Sequence, residues 1–439
     1  MPGLAVTGGT VVGPDGPARS DVFLAAGRIV RVVPNVGTTG TGHGRSGGRN
    51  EDGTVGAGAE RSVVDASVRD DADPVVGAGF PAAGGGPGRS AGTEMHLDAT
   101  SLLVAPGFID LQCNGAAGVD LATEPERMGE VAAALPRWGV TAWLPTVVTG
   151  PSSVRRRALA ALASLSDDAS VGATPLGLHL EGPFLAPGRR GAHDPRHLAD
   201  PSTALVAGEE WSRRSGVALV TLAPELPGAL DVVQALVEAD VVVAAGHSSA
   251  SAAQAGAAID AGVTYVTHLF NAMAPLHHRQ PGLVGVALAD DRVRVGLIAD
   301  GLHVDPHVVA VVARALGERL SLVTDAVAAL GVPAGTARLG RLTVDVSADD
   351  GAVRLADGTL AGSTLSLDRA VRNLVAFAGI PLDTAVRAVT STPAAVLGLP
   401  DRGVIAPGAV GDLVLLTPGG EVVATVVAGK VVHDDRAAR

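Results

Sequence analysis

The sequence predicts an α/β fold: a (β/α)8 TIM-like barrel with a small β-sandwich domain built from both chain ends. Three observations carry this expectation. Eight β-type apolar runs recur between about residues 100 and 330, most of them separated by Ala-rich, helix-like segments. Strands alternating with helices imply right-handed βαβ units, and eight of them favour a closed barrel over an open sheet. Short strand-like stretches of matching character stand at both ends, and 439 residues accommodate a barrel of about 250 residues plus one small domain.

In chain order, residues 4–34 alternate apolar stretches with Gly and Pro turns (LAVTGGTVV, DVFLAAGRIVRVVP), as in short antiparallel strands. The composition then changes. Between residues 37 and 92, 16 of 56 positions are glycine, and such a stretch buries too little apolar surface to offset its ordering entropy. A disordered surface insertion is expected there, with a ligand-binding lid as the alternative. The eight barrel runs follow as LLVAPGFID, TAWLPTVV, PLGLHLEG, VALVTLAPE, VVVAAGHS, TYVTHLFN, RVGLIADGLH and LSLVTDA. Helices are expected in LSLDRAVRNLVAFAG and LDTAVRAVTSTPAAVLG, and the tail returns to short strands (GDLVLLTP, EVVATVVAGKVV). The expected organisation is a small β domain from residues 1–104 and 401–439, enclosing a barrel over 105–400.

Composition excludes several functions. Aromatics at 2% argue against stacking platforms for single-stranded nucleic acid, and a net charge of −12 argues against duplex binding. Cys113 is the only cysteine, so neither an intramolecular disulfide nor a Cys-rich zinc knuckle is available. Lys430 is the only lysine, which leaves no candidate for a P-loop, Schiff-base or metal-bridging lysine. Apolar runs are interrupted before about 18 residues, so no membrane span is expected. MPGLAVTGG has neither a basic nor a long apolar region, so a leader is not expected either. A soluble, cytoplasmic protein is the expectation.

In such a barrel the working side chains lie at the C-terminal ends of the strands. Those positions hold Asp110 and Gln112, His179 and Glu181, Glu225, His247, His268, His303 and Asp325. Two imidazoles and a carboxylate, with one position left open for water, are a catalytic zinc stoichiometry. Glu181, His247 and His268 match it, although His268 alone reads equally as a core histidine. Ser248 alone would make the turn after His247 a helix cap. Asp325, otherwise a helix cap, suits the proton transfers of a metal-activated water. His193, in a polar loop, suits carbonyl polarisation, and Arg279 suits an anion such as phosphate; each reads alternatively as a solvated surface residue.

The segments APGFIDLQCNG, GLHLEGPFLAPGRRGAHDP, AGHSSA, THLFNAMAPLHHRQPGLVG, IADGLHVDP, LVTDA and GTLAGSTLSLDRAVRNL resemble the N-acetylglucosamine-6-phosphate deacetylase family of the amidohydrolase superfamily, in that family's order. The resemblance implies hydrolysis of the acetamide of N-acetylglucosamine 6-phosphate to glucosamine 6-phosphate and acetate, in amino-sugar metabolism. It implies Glu181, His247 and His268 as ligands of one divalent ion per subunit, zinc foremost, with iron or another divalent ion as alternatives. Asp325 would be general base and then acid, and His193 would assist at the carbonyl. Ala192, His193, Asn271 and Ala272 would hold the substrate, with Arg279 and His303 on the sugar phosphate, one of them contributed by a neighbouring subunit of a homodimer. Leu360, Ala361 and Gly362 lie where the family closes a loop over the sugar. Gln112-Cys113-Asn114 replaces the His-x-His of two-metal amidohydrolases and is similar to single-metal members. The alternatives are an amidohydrolase for another N-acyl sugar or cyclic amide, and an inactive barrel used as a binding scaffold.

Replacing residues 37–92 by a short Gly/Ser turn is expected to leave the fold and turnover near normal, because loop closure costs free energy only logarithmically in length. Loss of turnover in a variant with unchanged circular dichroism would favour the lid.

Overall fold

The structure, a computed structural model, describes residues 3–13, 16–35, 95–166 and 172–436. The glycine-rich stretch expected over 37–92 lies outside the described residues.

Eight parallel strands form the barrel: β1 Phe108–Cys113, β2 Val140–Val148, β3 Leu178–Glu181, β4 Val217–Leu222, β5 Val242–Ala245, β6 Tyr265–Val266, β7 Arg294–Leu297 and β8 Leu320–Leu322. Each pairs in parallel with the next, from Phe108↔Val140 round to Val295↔Leu320. The ring approaches closure through a parallel bridge between Cys113 and Ala326 and an Asp325 N–H to Gln112 carbonyl bond of 2.9 Å. These strands are apolar almost throughout because both faces are covered; all six residues of β4 are buried.

Helices follow the strands and pack outside them. The one after β5, Ala252–Ala261, starts with a capping box between Ser251 and Gln254. Ser248 does not cap it, contrary to one sequence reading. The helix after β7, Pro306–Leu316, starts at Asp305, whose carboxylate accepts the His307 N–H, with Pro306 at the first helical position. It buries Val309, Val312 and Leu316 against the strands. No helix among the described residues is long and apolar enough to cross a membrane.

Strands from both chain ends form a second, nine-stranded mixed sheet with its own core of Leu4, Val22, Leu24, Ile29, Leu97, Leu413 and Val426. In it Leu103–Pro106 pairs parallel with Thr10–Gly13 and antiparallel with Leu413–Leu416. The run LLVAPGFID, expected as one strand, therefore serves two sheets and divides at Gly107. A side chain there is excluded, since an added Cβ would sit 2.1 Å from Thr141 Oγ1.

A three-stranded antiparallel sheet, Gly335–Leu339, Leu342–Val346 and Val353–Arg354, interrupts the chain after β8. This sheet was not foreseen from the sequence. Its signal is the alternation in TARLGRLTV around a two-residue turn at Gly340, whose φ of 57° favours glycine.

Candidate active site

Glu181 ends β3, but the other central side chains lie just beyond their strands rather than on them. His247 follows Ala245 by one glycine, His268 stands two residues past β6, and Asp325 stands three past β8. All three have left-handed backbone, with φ of 49°, 21° and 48°. Non-glycine residues pay for this conformation in strain and hold it only where the surroundings over-determine them. Gly246 is required in turn, because a Cβ there would lie 2.5 Å from Thr267 Cγ2.

Glu181, His247 and His268 are almost wholly buried, and Asp325 is half-buried. Glu181 Oε1 is 3.1 Å from His247 Nε2 and 2.9 Å from His268 Nε2, and these two nitrogens are 3.1 Å apart. Glu181 Oε2 faces His193 Nε2 at 3.5 Å, and ligand-type atoms of Glu181, His193 and His247 all lie within 4.8 Å of one another. Proximity therefore admits either His193 or His268 as the third donor beside Glu181 and His247. Hydrogen bonding separates them. The His247 Nδ1–H donates to the Arg189 carbonyl at 2.9 Å, so Nε2 presents a lone pair. His193 Nδ1 instead accepts the Thr149 N–H at 3.2 Å, so its ring proton sits on Nε2, a donor. His268 Nδ1 has no hydrogen-bond partner among the described residues, and its Nε2 points at the same carboxylate oxygen as His247. Two converging imidazole nitrogens and a carboxylate oxygen are the donor set of a divalent cation, and the site fits one.

Burial pushes the Glu181 carboxyl up, but the facing imidazoles of His193, His247 and His268 outweigh it and hold it well below the usual range. Burial, then His193, push His247 down to about 4. Burial also pushes His268 down, yet Glu181 outweighs it and leaves this imidazole raised. Asp325 is pushed up to about 6, first by burial and then by the Glu181 charge. Its Oδ1 accepts from Asn114 Nδ2 at 2.7 Å and Gln112 Nε2 at 3.2 Å. Gln112 Nε2 also donates to Glu181 Oε1 at 2.9 Å, and its Oε1 accepts the Thr267 hydroxyl at 2.5 Å. One amide thus ties the carboxylates of β3 and β8 together.

Other strand-end residues lie outside this centre. Asp110 accepts the Thr324 hydroxyl and His179 meets the Thr221 hydroxyl, both beneath the site. Glu225 accepts from Ser248 Oγ and the Ser249 N–H, bracing the turn after His247.

A cavity of about 340 Å³ opens on the centre. Ala192, His193, Asn271, Ala272, His303, Leu360, Ala361 and Gly362 all line it. The Asn271 amide nitrogen turns back to the His268 and Leu269 carbonyls. His303 Nδ1 is held 2.6 Å from Asp300 Oδ2, which fixes the ring. Arg279 does not line this cavity; it is exposed, with Nη1 2.8 Å from His278 Nε2. Val148, Arg189, Leu339 and Thr359 line it without having been singled out from sequence. The donors Gln112, Asn114 and Thr149 were also missed in these roles; only the unusual Gln112-Cys113-Asn114 stood out as a departure.

The model of the amidohydrolase family matches residues 103–432. An N-acetylglucosamine-6-phosphate deacetylase of Danio rerio is 38% identical over 352 residues, 77% of this chain and 86% of that protein. An N-acetylgalactosamine-6-phosphate deacetylase of Escherichia coli O157:H7 is 39% identical over 323 residues, 72% and 84% of the two chains. Among solved structures, a mutant N-acetyl-D-glucosamine-6-phosphate deacetylase from Mycobacterium smegmatis in complex with N-acetyl-D-glucosamine-6-phosphate superposes with a TM-score of 0.78 at 33% identity, covering 98% of this chain and 100% of that one.

Thr267→Val keeps the shape of the side chain but leaves Gln112 Oε1 buried without its donor. It is expected to lower stability by about 1–3 kcal/mol, read from the denaturation midpoint, with Thr267→Ser restoring most of the loss.

Proposed function

This chain belongs to the amidohydrolase family, and we propose from that premise that it hydrolyses the acetamide of N-acetylglucosamine 6-phosphate to glucosamine 6-phosphate and acetate. The observation that carries the reading is the convergence of Glu181, His247 and His268 beside Asp325, in a cavity reached by His193 and His303. Glu181, His247 and His268 would hold one divalent ion per chain, zinc by their stoichiometry. When bound, the ion supplies Lewis-acid polarisation and acidifies water.

The chain's own residues do the rest. His193, with its proton on Nε2, donates to the acetyl carbonyl oxygen as charge develops there. Asp325 accepts the proton of the attacking water and returns it to the amine as the C–N bond breaks. Asn114 and Gln112 hold Oδ1, leaving Oδ2 for the proton. Asn271, Ala272 and the Leu360, Ala361 and Gly362 segment would hold the sugar, and His303, braced by Asp300, would meet the phosphate. Arg279 would serve the phosphate of the partner subunit's site in a cytoplasmic homodimer; its exposure outside its own cavity supports this.

The C4 epimer, N-acetylgalactosamine 6-phosphate, is the second reading, because a relative named for it is as similar as those named for the glucosamine. Acetate release from both sugar phosphates, with and without added divalent metal, tests the assignment. Release from neither would overturn it.

Asp325→Asn is expected to bind metal normally and lose roughly 10²–10⁴-fold in kcat, whereas Glu181→Gln loses metal itself. Elemental analysis beside kinetics checks both, with about one ion per active chain expected. Near-normal turnover of metal-loaded Asp325→Asn would remove the assigned role.

Arg279→Met is expected to lower kcat/KM for the phosphorylated sugar by roughly 1.5–3 kcal/mol, the scale of a hydrogen bond to a charged group. It should barely affect slow cleavage of unphosphorylated N-acetylglucosamine. An equal loss on both substrates would mean that Arg279 supports the site generally.

A further inference from the structure

The cavity is lined by two chemically different sets of side chains. Arg189, Asn271, His303 and Thr359 present charged and polar groups. Opposite in character, Val148, Ala192, Leu339 and Ala361 line the same cavity and belong to one apolar cluster that includes Val327, Val344 and Val353. Val148 is the last residue of β2, and Leu339 stands at the hairpin tip of the three-stranded sheet. The tip rests on that strand end, since a Cβ added at Gly340 would lie 3.9 Å from Val148 Cγ2. It is also tied down. The Asp120 carboxylate, which accepts the Thr123 hydroxyl at 2.8 Å, also faces the Gly340 N–H. Leu339 itself is 6% exposed and cannot swing away without opening its cluster.

A trans secondary amide sends its nitrogen substituent and its acyl chain to opposite sides of the C–N bond. A phosphorylated, polyhydroxylated sugar takes the polar set, where its hydroxyls and phosphate find partners. The acyl carbon then faces the apolar set, beside His193, whose neighbour Ala192 is part of that set. We propose that Leu339, backed by Val148, sets the length of acyl chain that the site accepts, admitting acetyl and excluding longer chains. The proposal rests on the deacetylase reading above and adds to it the residue that selects the acyl group.

One methylene too many in an apolar pocket costs about 10–200-fold in kcat/KM. The test compares metal-loaded wild type, Leu339→Ala and Val148→Ala on N-acetyl-, N-propionyl- and N-butyrylglucosamine 6-phosphate, measuring amine release. For the wild type, kcat/KM is expected to fall at least about tenfold per added methylene. In Leu339→Ala the butyryl value should rise at least about tenfold while the acetyl value drops a few-fold. An absolute gain on a longer chain cannot come from a damaged site. Val148→Ala gives the same direction of change and covers the case in which the hairpin variant does not fold. Equal loss on all three acyl groups, or a wild type that cleaves butyryl as well as acetyl, would overturn the proposal with the deacetylase reading intact. A wild type that cleaves none of the three would remove both.

Discussion

The site is organised by a single buried charge. Glu181 is 3% exposed, and an ionised carboxylate taken out of water is tolerated only when it is paired and hydrogen-bonded. His247, His268 and Gln112 meet one of its oxygens, and His193 faces the other. Four of the eight strands, and the loop after one of them, must therefore arrive in register at the same few ångströms. His247 and His268 both meet the carboxylate from left-handed backbone. The strain is held by specific partners, among them the Arg189 carbonyl on His247.

Beneath this centre the barrel is polar where such interiors are usually layers of branched apolar side chains. Asp110, Thr324, His179 and Thr221 form hydrogen bonds that link the first, third, fourth and eighth strands. Burial moves Asp110 up to about 7 and His179 down to about 4, each towards its neutral form. These residues act as a floor that fixes where Gln112 and Asp325 stand.

Glu181, His247, His268 and Asp325 were legible in the sequence because each follows an apolar run, so chain position alone brings them to one end of the barrel. The number of barrel strands was legible for the same reason. Hydrogen bonds between residues far apart in sequence were not. Asn114 and Gln112 reach Asp325 across 211 and 213 residues, and no local pattern marks that meeting. The backbone hydrogen bonds that support the assignment of His193 and His247, from the Thr149 N–H and to the Arg189 carbonyl, were likewise invisible. The extra sheet over 335–354 went unforeseen although its alternation is regular. Its strands are short, and residues 335–338 are mostly exposed, so little apolar weight marks them.

The sheet made from both chain ends has a consequence for synthesis. Arg28 Nη1 bonds to Asp401 Oδ2 and to the Gly408 carbonyl, partners 373 and 380 residues further along the chain. Leu103–Pro106 likewise waits for Leu413–Leu416. At about 5–20 residues per second, the first strands leave the ribosome roughly 20–75 s before their partners do. Throughout that interval the whole barrel can form while the earlier sheet stands with an open edge, the surface most prone to pair with a neighbouring nascent chain. The last few dozen residues, far from any chemistry, thus decide whether the finished barrel emerges as a sealed molecule.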